Sequence, residues 1–203
     1  ICPSLYSNEV TITVIPGVTT ANAGTDQVLC NVTSATLNGN NPTSGTGTWT
    51  VAPGAPSTVS FTNAADPTTT VNGLVHGTYR FVWTISNALC ASSSDTVEIY
   101  VAPPTIAGSL VASTTVCANN NTDILTLSGN NGNIIRWEFS IDNGGSWTNI
   151  SNTTSTYTYN NLNTTTAYRA LNQNEICPSL YSNVVTITVI PGVTTANAGI
   201  DQV

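Results

Sequence analysis

The segment at positions 1–28 of the chain occurs again at positions 176–203, and this repeat constrains the fold more than any other feature. The two copies differ at only two positions, Glu9/Val184 and Thr25/Ile200. They start at positions 1 and 176, so the period is 176 − 1 = 175. A repeat this faithful indicates duplication within a tandem array, so we expect the array to continue on both sides of this chain. Solenoid repeats usually span about 20 to 50 residues, so a period this long must contain whole domains.

The period contains short segments with strand-like alternation, separated by Gly, Pro and Asn turns, and no helical periodicity. The strongest segment is GTYRFVWTISN, in which Tyr79, Phe81, Trp83 and Ile85 share one face. Apolar residues of the neighbouring segments, including Trp49, supply a facing core. This pattern predicts an all-β chain of two-sheet sandwiches.

Cysteine spacing indicates that one period holds two related domains. The interval from Cys30 to Cys90 equals the interval from Cys117 to Cys177. A tryptophan follows the first cysteine of each pair at nearly the same distance along the chain. Pro-containing junctions break the pattern at Pro16 and again at Pro103, where a new domain is expected to open.

These boundaries predict four segments. Residues 1–15 are expected to be the last strand of a preceding domain, whose core Val10, Ile12 and Val14 would complete. The two complete sandwiches are predicted at 16–102 and 103–190, and the first strand of the next domain at 191–203.

Composition excludes several classes of function. The chain has no Lys, three Arg and a net charge of −7, so it lacks the clustered basic residues that bind a phosphate backbone. No apolar run reaches the ~20 residues that span a bilayer, so no membrane insertion is expected in this segment. Five Cys, one His and no CxxC pair favour disulfides over zinc, and hence an oxidising, extracellular setting without cofactor or metal.

Several motifs resemble a known group of proteins. ANAGTDQVLC, GTYRFVWTISN and SSDTVEIYV in the first domain are similar to PKD-like modules, and IIRWEFSIDNGGSWT and ICPSLYSNVVTITV in the second to immunoglobulin-like modules. Together they resemble the tandem repeats of giant cell-surface proteins of Bacteroidetes, including flavobacteria. The resemblance implies head-to-tail immunoglobulin-like (PKD-like) β-sandwiches, export by the type IX pathway and a role in adhesin stalks or surface filaments. It carries over no catalytic residues.

In an immunoglobulin-type sandwich Cys30 would follow the first strand, whereas Cys90 would lie in the turn at the opposite end. An eight-residue strand is about 26 Å long, and a disulfide needs Cα atoms within about 7 Å. In a head-to-tail array the turn that holds Cys30 in one domain would face the turn that holds Cys177 in the next. We therefore predict an interdomain disulfide between Cys30 and Cys177, with Cys2, Cys90 and Cys117 bonded to neighbouring repeats. Intradomain bridges (Cys30 to Cys90, Cys117 to Cys177) and free thiols remain the alternatives.

One short motif matches the Asp-box pattern SxDxGxxW: Ser140, Asp142, Gly144 and Trp147. In this pattern the carboxylate accepts backbone N–H groups across a tight hairpin and the tryptophan packs beneath it. Asp/Asn-Gly is also common hairpin turn chemistry, so we predict a structural hairpin rather than a calcium or sugar site.

Other candidate sites carry weaker signals. Thr96, in Asp95-Thr96-Val97, is similar to the O-glycosylation motif of Bacteroidetes and is a candidate for that modification. Five formal N-glycosylation sequons arise readily by chance in a chain rich in Thr and Asn. His76 has no nucleophile motif or second His beside it in the sequence, so it is expected to be a turn residue rather than a catalytic base.

The sequence therefore predicts a structural repeat unit of an extracellular surface filament or adhesin stalk, partnered by neighbouring repeats of the same polymer. The alternative is an adhesion module that binds glycans or surface proteins through loops or exposed aromatics such as Tyr100 and Tyr181. An enzyme is not expected, since paired carboxylates and nucleophile motifs are missing.

Overall fold

The computed structural model describes residues 3–4, 7–111 and 114–192, and its regular elements there are all strands. The predicted all-β class is confirmed. In chain order the strands are β1 (Gln27–Cys30), β2 (Ser34–Thr36), β3 (Thr46–Val51), β4 (Ser60–Phe61), β5 (Thr70–Asn72), β6 (Gly77–Ser86), β7 (Ser93–Ala102), β8 (Ser109–Leu110), β9 (Thr114–Cys117), β10 (Thr122–Ser128), β11 (Asn133–Ser140), β12 (Thr148–Ile150), β13 (Thr156–Asn160), β14 (Thr166–Gln173), β15 (Leu180–Tyr181) and β16 (Val185–Ile190).

The chain divides into two compact units. The first comprises Ile1–Gln27 and Val32–Val101, and the second comprises Val28–Asn31 and Ala102–Val203. The short segment Val28–Asn31, which includes most of β1, therefore groups with the second unit although the chain on both sides of it belongs to the first.

The first unit contains β3, β6 and nearly all of β7 from the sheet of order β1-β7-β6-β3, and a smaller sheet of order β2-β5-β4. Alternation along β6 buries Tyr79, Phe81, Trp83 and Ile85, each fully inaccessible to solvent. Trp83 lies opposite Trp49 on β3, with ring centroids 5.0 Å apart. The four residues predicted to share one face of this segment do form the core, because successive strand side chains point to opposite sides.

The second unit has a sheet of order β12-β11-β14-β16-β9, with β15 paired to β14, and a sheet of order β13-β10-β8. Its core holds Trp137, whose indole N–H donates to the Thr154 carbonyl at 2.9 Å, together with Tyr159 and Tyr168. Strand β16 lies inside this sheet, antiparallel to β14 and parallel to β9, and buries Ile187.

The strand expected in residues 1–15 is not present in the described part of that segment. Val10, Ile12 and Val14 are 77%, 83% and 86% exposed. The same six letters, VTITVI, form β16 in the second unit, where flanking strands satisfy the backbone and cover the apolar face. Residues 10–15 lack such strand partners within the described part of this chain, which is the physical reason for the difference. Most of the segment predicted at 191–203, from residue 193 onward, lies outside the described residues, and so does Cys2.

Candidate functional site

A disulfide joins Cys30 to Cys177, the pair that the topological argument selects, with a Cα–Cα distance of 5.1 Å. Cys30 is the last residue of β1, and the Asn31 amide that follows donates to the Ala102 carbonyl at 2.9 Å. Cys177 is fully buried in the loop between β14 and β15. Its amide donates to the Asn174 carbonyl at 2.9 Å. Backbone hydrogen bonds thus fix both cysteines beside the bond they make.

The bond closes a loop of unusual length. The two cysteines are 147 residues apart in sequence, and both lie in the second unit. The chain up to Gln27 and from Val32 to Val101 belongs to the first unit. Cys90 and Cys117 carry free thiols, so neither intradomain bridge forms.

The Asp-box residues form a tight hairpin loop between β11 and β12. The Asp142 carboxylate accepts from the Ser140 hydroxyl at 2.6 Å, the Ser146 hydroxyl at 2.6 Å and the Ser146 amide at 2.9 Å. These hydrogen bonds hold the pKa of Asp142 well below its ordinary value. Gly144 adopts a φ of +90°, which favours glycine. Both carboxylate oxygens serve the hairpin, which supports its structural interpretation.

A buried carboxylate that the sequence did not reveal lies on β11, just before the Asp-box hairpin. Glu138 is 2% exposed and receives both guanidinium groups of the second unit, from Arg136 and Arg169. Its Oε1 accepts from Arg136 Nε at 2.7 Å, and its Oε2 from Arg169 Nε at 2.8 Å. The Tyr181 hydroxyl donates to Oε1 at 3.2 Å. Burial acts to raise the pKa of Glu138, but the hydrogen bonds from the two arginines outweigh it and leave the pKa below its ordinary value.

Aromatic rings enclose one of these arginines. The Arg169 guanidinium carbon lies 4.0 Å from the Trp147 ring centroid and 3.7 Å from that of Tyr181. Such cation–π contacts add about 0.5 to 2 kcal/mol each, more as water is excluded. Trp147 of the Asp box therefore supports the ion pairs of Glu138, and Tyr181, an aromatic considered for ligand binding, is engaged within the fold.

The remaining candidates are spread over the surface of the first unit. Thr96 is exposed on β7, opposite Val82 of β6, which leaves it accessible for modification. The neighbouring Asp95 carboxylate accepts from the Ala23 amide at 2.7 Å, so it serves the fold. His76 is exposed in the loop before β6.

The second unit carries a shallow depression of about 560 Å³ beside the Asp-box hairpin. Among its described lining residues Asp142 alone is ionisable, and that carboxylate is already hydrogen-bonded. The depression therefore lacks the pair of positioned groups that acid–base chemistry needs. In residues 3–4, 7–111 and 114–192, no three His, Cys, Asp or Glu side chains cluster closely enough to hold a metal ion. Across those same residues, no helix has the length and hydropathy to cross a membrane.

Comparisons with known proteins describe the fold. Residues 106–191 match a family model described as a domain of unknown function (DUF8696). No curated protein matches the chain in sequence. The chain is similar to the I-band fragment I67-I69 from titin, with a TM-score of 0.55, 16% identity and coverage of 88% of this chain and 67% of that one. It is also similar to a marsupial T cell receptor, with a TM-score of 0.50, 10% identity and coverage of 88% and 74%.

The fold is immunoglobulin-like. A PKD domain from the KIAA 1837 protein matches 46% of this chain and 93% of its own length at 30% identity, with a TM-score of 0.37. A disulfide such as Cys30–Cys177 is typical of proteins in oxidising, extracellular settings. The predicted head-to-tail order and the boundaries at 16–102 and 103–190 stay predictions.

Proposed function

We propose that this chain is a repeat unit of an extracellular surface filament or adhesin stalk, in which immunoglobulin-like sandwiches follow one another head to tail. The observation that carries the proposal is the double occurrence of VTITVI. At Val185–Ile190 this sequence completes a sheet, whereas at 10–15 it is exposed and outside any strand. A copy of the second unit placed ahead of residue 1 would give residues 10–15 the same partners, as a tandem array requires.

The disulfide suits a chain that carries tension. A covalent bond between Cys30 and Cys177 bypasses the 147 residues between them when the chain is pulled from its ends. At about 3.3 to 3.6 Å per extended residue, about 500 Å of contour length stays locked even if the sandwiches unfold. A module that only presents a binding loop has no need of such a bypass.

The placement of the basic residues also supports a stalk. The chain has no Lys, and its three Arg residues all lie in strands and all form ion pairs with Glu98 or Glu138. Cleavage after a basic residue would therefore require a strand to open first. Location at the cell surface and export by the type IX route, which the sequence resemblance implies, belong to this proposal.

Electron microscopy of the native surface material, labelled with an antibody against this repeat, tests the proposal. We expect label at regular intervals along the shaft of a fibre. Label confined to a fibre tip, or present only on soluble protein, would contradict it.

A glycan and surface-protein array probed with the whole chain, residues 1–203, tests the alternative. A structural repeat should bind nothing above background. Specific binding that is lost on Tyr181→Ala, while unfolding by urea shows that the variant remains folded, would favour an adhesion module.

A further inference from the structure

The two free thiols, Cys117 and Cys90, occupy the same positions in the two predicted sandwiches (103–190 and 16–102) as the bonded Cys30 and Cys177. We propose that Cys117 forms a disulfide with Cys90 of the copy of this repeat that follows, and that Cys90 forms the same bond with Cys117 of the copy that precedes. This inference rests on the proposed tandem array and names its covalent partner, a second copy of this chain. By the sequence repeat, Cys2 corresponds to Cys177 and would bond Cys30 of the preceding copy.

Cys117 corresponds to Cys30. Each is the last residue of a strand, β9 and β1 respectively. The amide after Cys30 donates to the Ala102 carbonyl at 2.9 Å, and the amide after Cys117 donates to the Ile190 carbonyl at 3.0 Å. Both acceptors are the last residues of the final strand of a predicted sandwich, Ala102 of β7 and Ile190 of β16. The backbone therefore presents the two cysteines in the same way.

Cys90 corresponds to Cys177. Each lies in the loop that follows a long central strand, β6 or β14. The Cys90 amide donates to the Asn87 side chain at 2.6 Å, and the Cys177 amide to the Asn174 carbonyl at 2.9 Å, so an asparagine three residues earlier holds both loops. The sulfurs of Cys90 and Cys177 also have corresponding neighbours.

Each of these two sulfurs lies near the carbonyl oxygen of a proline, and the two prolines precede their cysteines by the same number of residues. Cys90 Sγ lies 3.6 Å from the Pro16 oxygen, and Cys177 Sγ lies 3.2 Å from the Pro103 oxygen, with a sequence separation of 74 in both cases. Pro16 and Pro103 are the residues at which the sequence predicts each sandwich to open. Cys90 Sγ is therefore placed where a partner from a preceding domain would meet it, as Cys30 meets Cys177.

The spacing along the chain agrees. Cys30 and Cys177 have a sequence separation of 147. The corresponding separation from Cys117 to Cys90 of the next copy is 90 + 175 − 117 = 148. The two junctions thus have matching lengths to within one residue, and the thiols are available, because Cys117 is exposed and Cys90 is half-buried.

The chemistry is thiol–disulfide exchange. One thiolate attacks a small-molecule or protein disulfide to form a mixed disulfide, and the second thiolate displaces it. One S–S bond forms between the copies, and the oxidant takes up two electrons and two protons as two thiols. An oxidant of this class accounts equally for the Cys30–Cys177 bond.

The test uses a chain extended by one period, residues 1–203 followed by residues 29–203. Cys90→Ser in the first copy and Cys117→Ser in the second leave one intended pair, which makes the otherwise identical peptides distinguishable. The protein is folded with reduced and oxidised glutathione, its monomeric state is checked by size-exclusion chromatography, and it is digested without reduction. We expect a Cys117 peptide linked to a Cys90 peptide, and the same link in the unsubstituted two-copy chain.

The outcomes separate this inference from the proposed function. Alkylated thiols at Cys117 and Cys90, with Cys30 still linked to Cys177, would overturn the inference and leave the stalk proposal standing. A Cys30 peptide linked to a Cys90 peptide would overturn both the inference and the covalent argument for the stalk.

Discussion

Residues 10–15 and Val185–Ile190 have the same sequence and different structures. In β16 Val185 and Ile187 are 3% and 1% exposed, whereas Val10 and Ile12 are 77% and 83% exposed. Local propensity is identical in the two segments, and both begin three residues after a Tyr-Ser pair. What differs is the presence of β14 and β9 as hydrogen-bonding neighbours of β16. Strand formation here is decided by partners, as expected when packing dominates β-propensity.

The comparison also explains how an array can be built from such a unit. A strand that is stable only beside its own sheet gains backbone hydrogen bonds and apolar burial when a neighbouring domain is present. Burial of the alternating Val and Ile side chains on one face would stabilise the folded state by about 1.5 to 3 kcal/mol per side chain. In the proposed array, residues 10–15 would therefore complete the sheet of the domain that precedes them.

Hydrogen exchange gives the largest expected contrast. Amides in residues 10–15 should exchange at nearly unprotected rates, whereas those of β16 should be at least about a thousandfold slower, because their exchange requires opening of a central strand. Mass spectrometry of peptides from the two segments measures the ratio directly.

A longer chain is expected to remove this difference in amide exchange between residues 10–15 and β16. Placing residues 103–175 ahead of Ile1 supplies the strands that residues 10–15 lack, and their protection should then approach that of β16. If they still exchange rapidly in the extended chain, the assignment of this segment to a preceding domain is wrong.

The matched substitutions Ile187→Ala and Ile12→Ala should differ strongly in stability. Removing the buried Ile187 side chain is expected to lower the free energy of unfolding by about 4 kcal/mol, through lost burial and an unfilled cavity. The exposed Ile12 should change it by less than about 0.5 kcal/mol. Urea unfolding monitored by tryptophan fluorescence measures both. Equal effects would mean that residues 10–15 also pack against this chain.

Ion pairs offer a second matched comparison of the same chemistry in two contexts. Glu138 is 3% exposed at its side chain, whereas Glu98 and its partner Arg80 are 41% and 64% exposed. Glu138→Gln should cost about 3 kcal/mol, because it leaves two guanidinium groups without their carboxylate. Glu98→Gln should cost less than about 1 kcal/mol, as exposed pairs do. Similar losses in urea unfolding would show that burial does not determine how much these ion pairs contribute to the free energy of unfolding.

The same cluster predicts a direction for pH dependence. The folded-state pKa of Glu138 lies below its ordinary value, so its contribution is complete above the unfolded pKa of about 4.3 and is lost as pH falls through the lower folded-state pKa. The stability of the wild-type chain should therefore decrease in this acid range. Glu138→Gln should flatten that decrease.

Much of the fold could be predicted from sequence because it depends on alternation. The segment GTYRFVWTISN is predicted as the strongest strand, and β6 covers Gly77–Ser86 of it, since its alternating apolar residues are a local signal. The choice of Cys177 as the partner of Cys30 followed from strand length and the expected order of strands. Residues 10–15 show the limit, because their alternation predicts a strand that the described part of the chain does not form.

The Glu138 cluster could not be predicted because it depends on register. Glu138 lies directly opposite Arg169 across β11 and β14, yet 31 residues separate them in sequence. A shift in register between Ile134 and Arg136 turns Trp137 into the core and Glu138 to the other face. The single usable signal was the Asp-box tryptophan, which follows Glu138 by nine residues and covers Arg169. Without the register, that tryptophan indicated only a hairpin.

The smallest expected effect tests whether the two copies are interchangeable. Position 9 holds Glu where position 184 holds Val, and Val184 is 48% exposed, one residue before β16 begins. Because Val184 is about half exposed and lies outside the strand, Val184→Glu should change the free energy of unfolding by less than about 0.5 kcal/mol. The control is Val185→Glu, which places the same charge one residue later, where the side chain is 3% exposed, and should destabilise the unit severely. A loss above about 1 kcal/mol for Val184→Glu, beyond what an exposed substitution costs, would show that the segment carrying Glu9 cannot occupy the place of β16, and would remove the structural equivalence on which the tandem array depends.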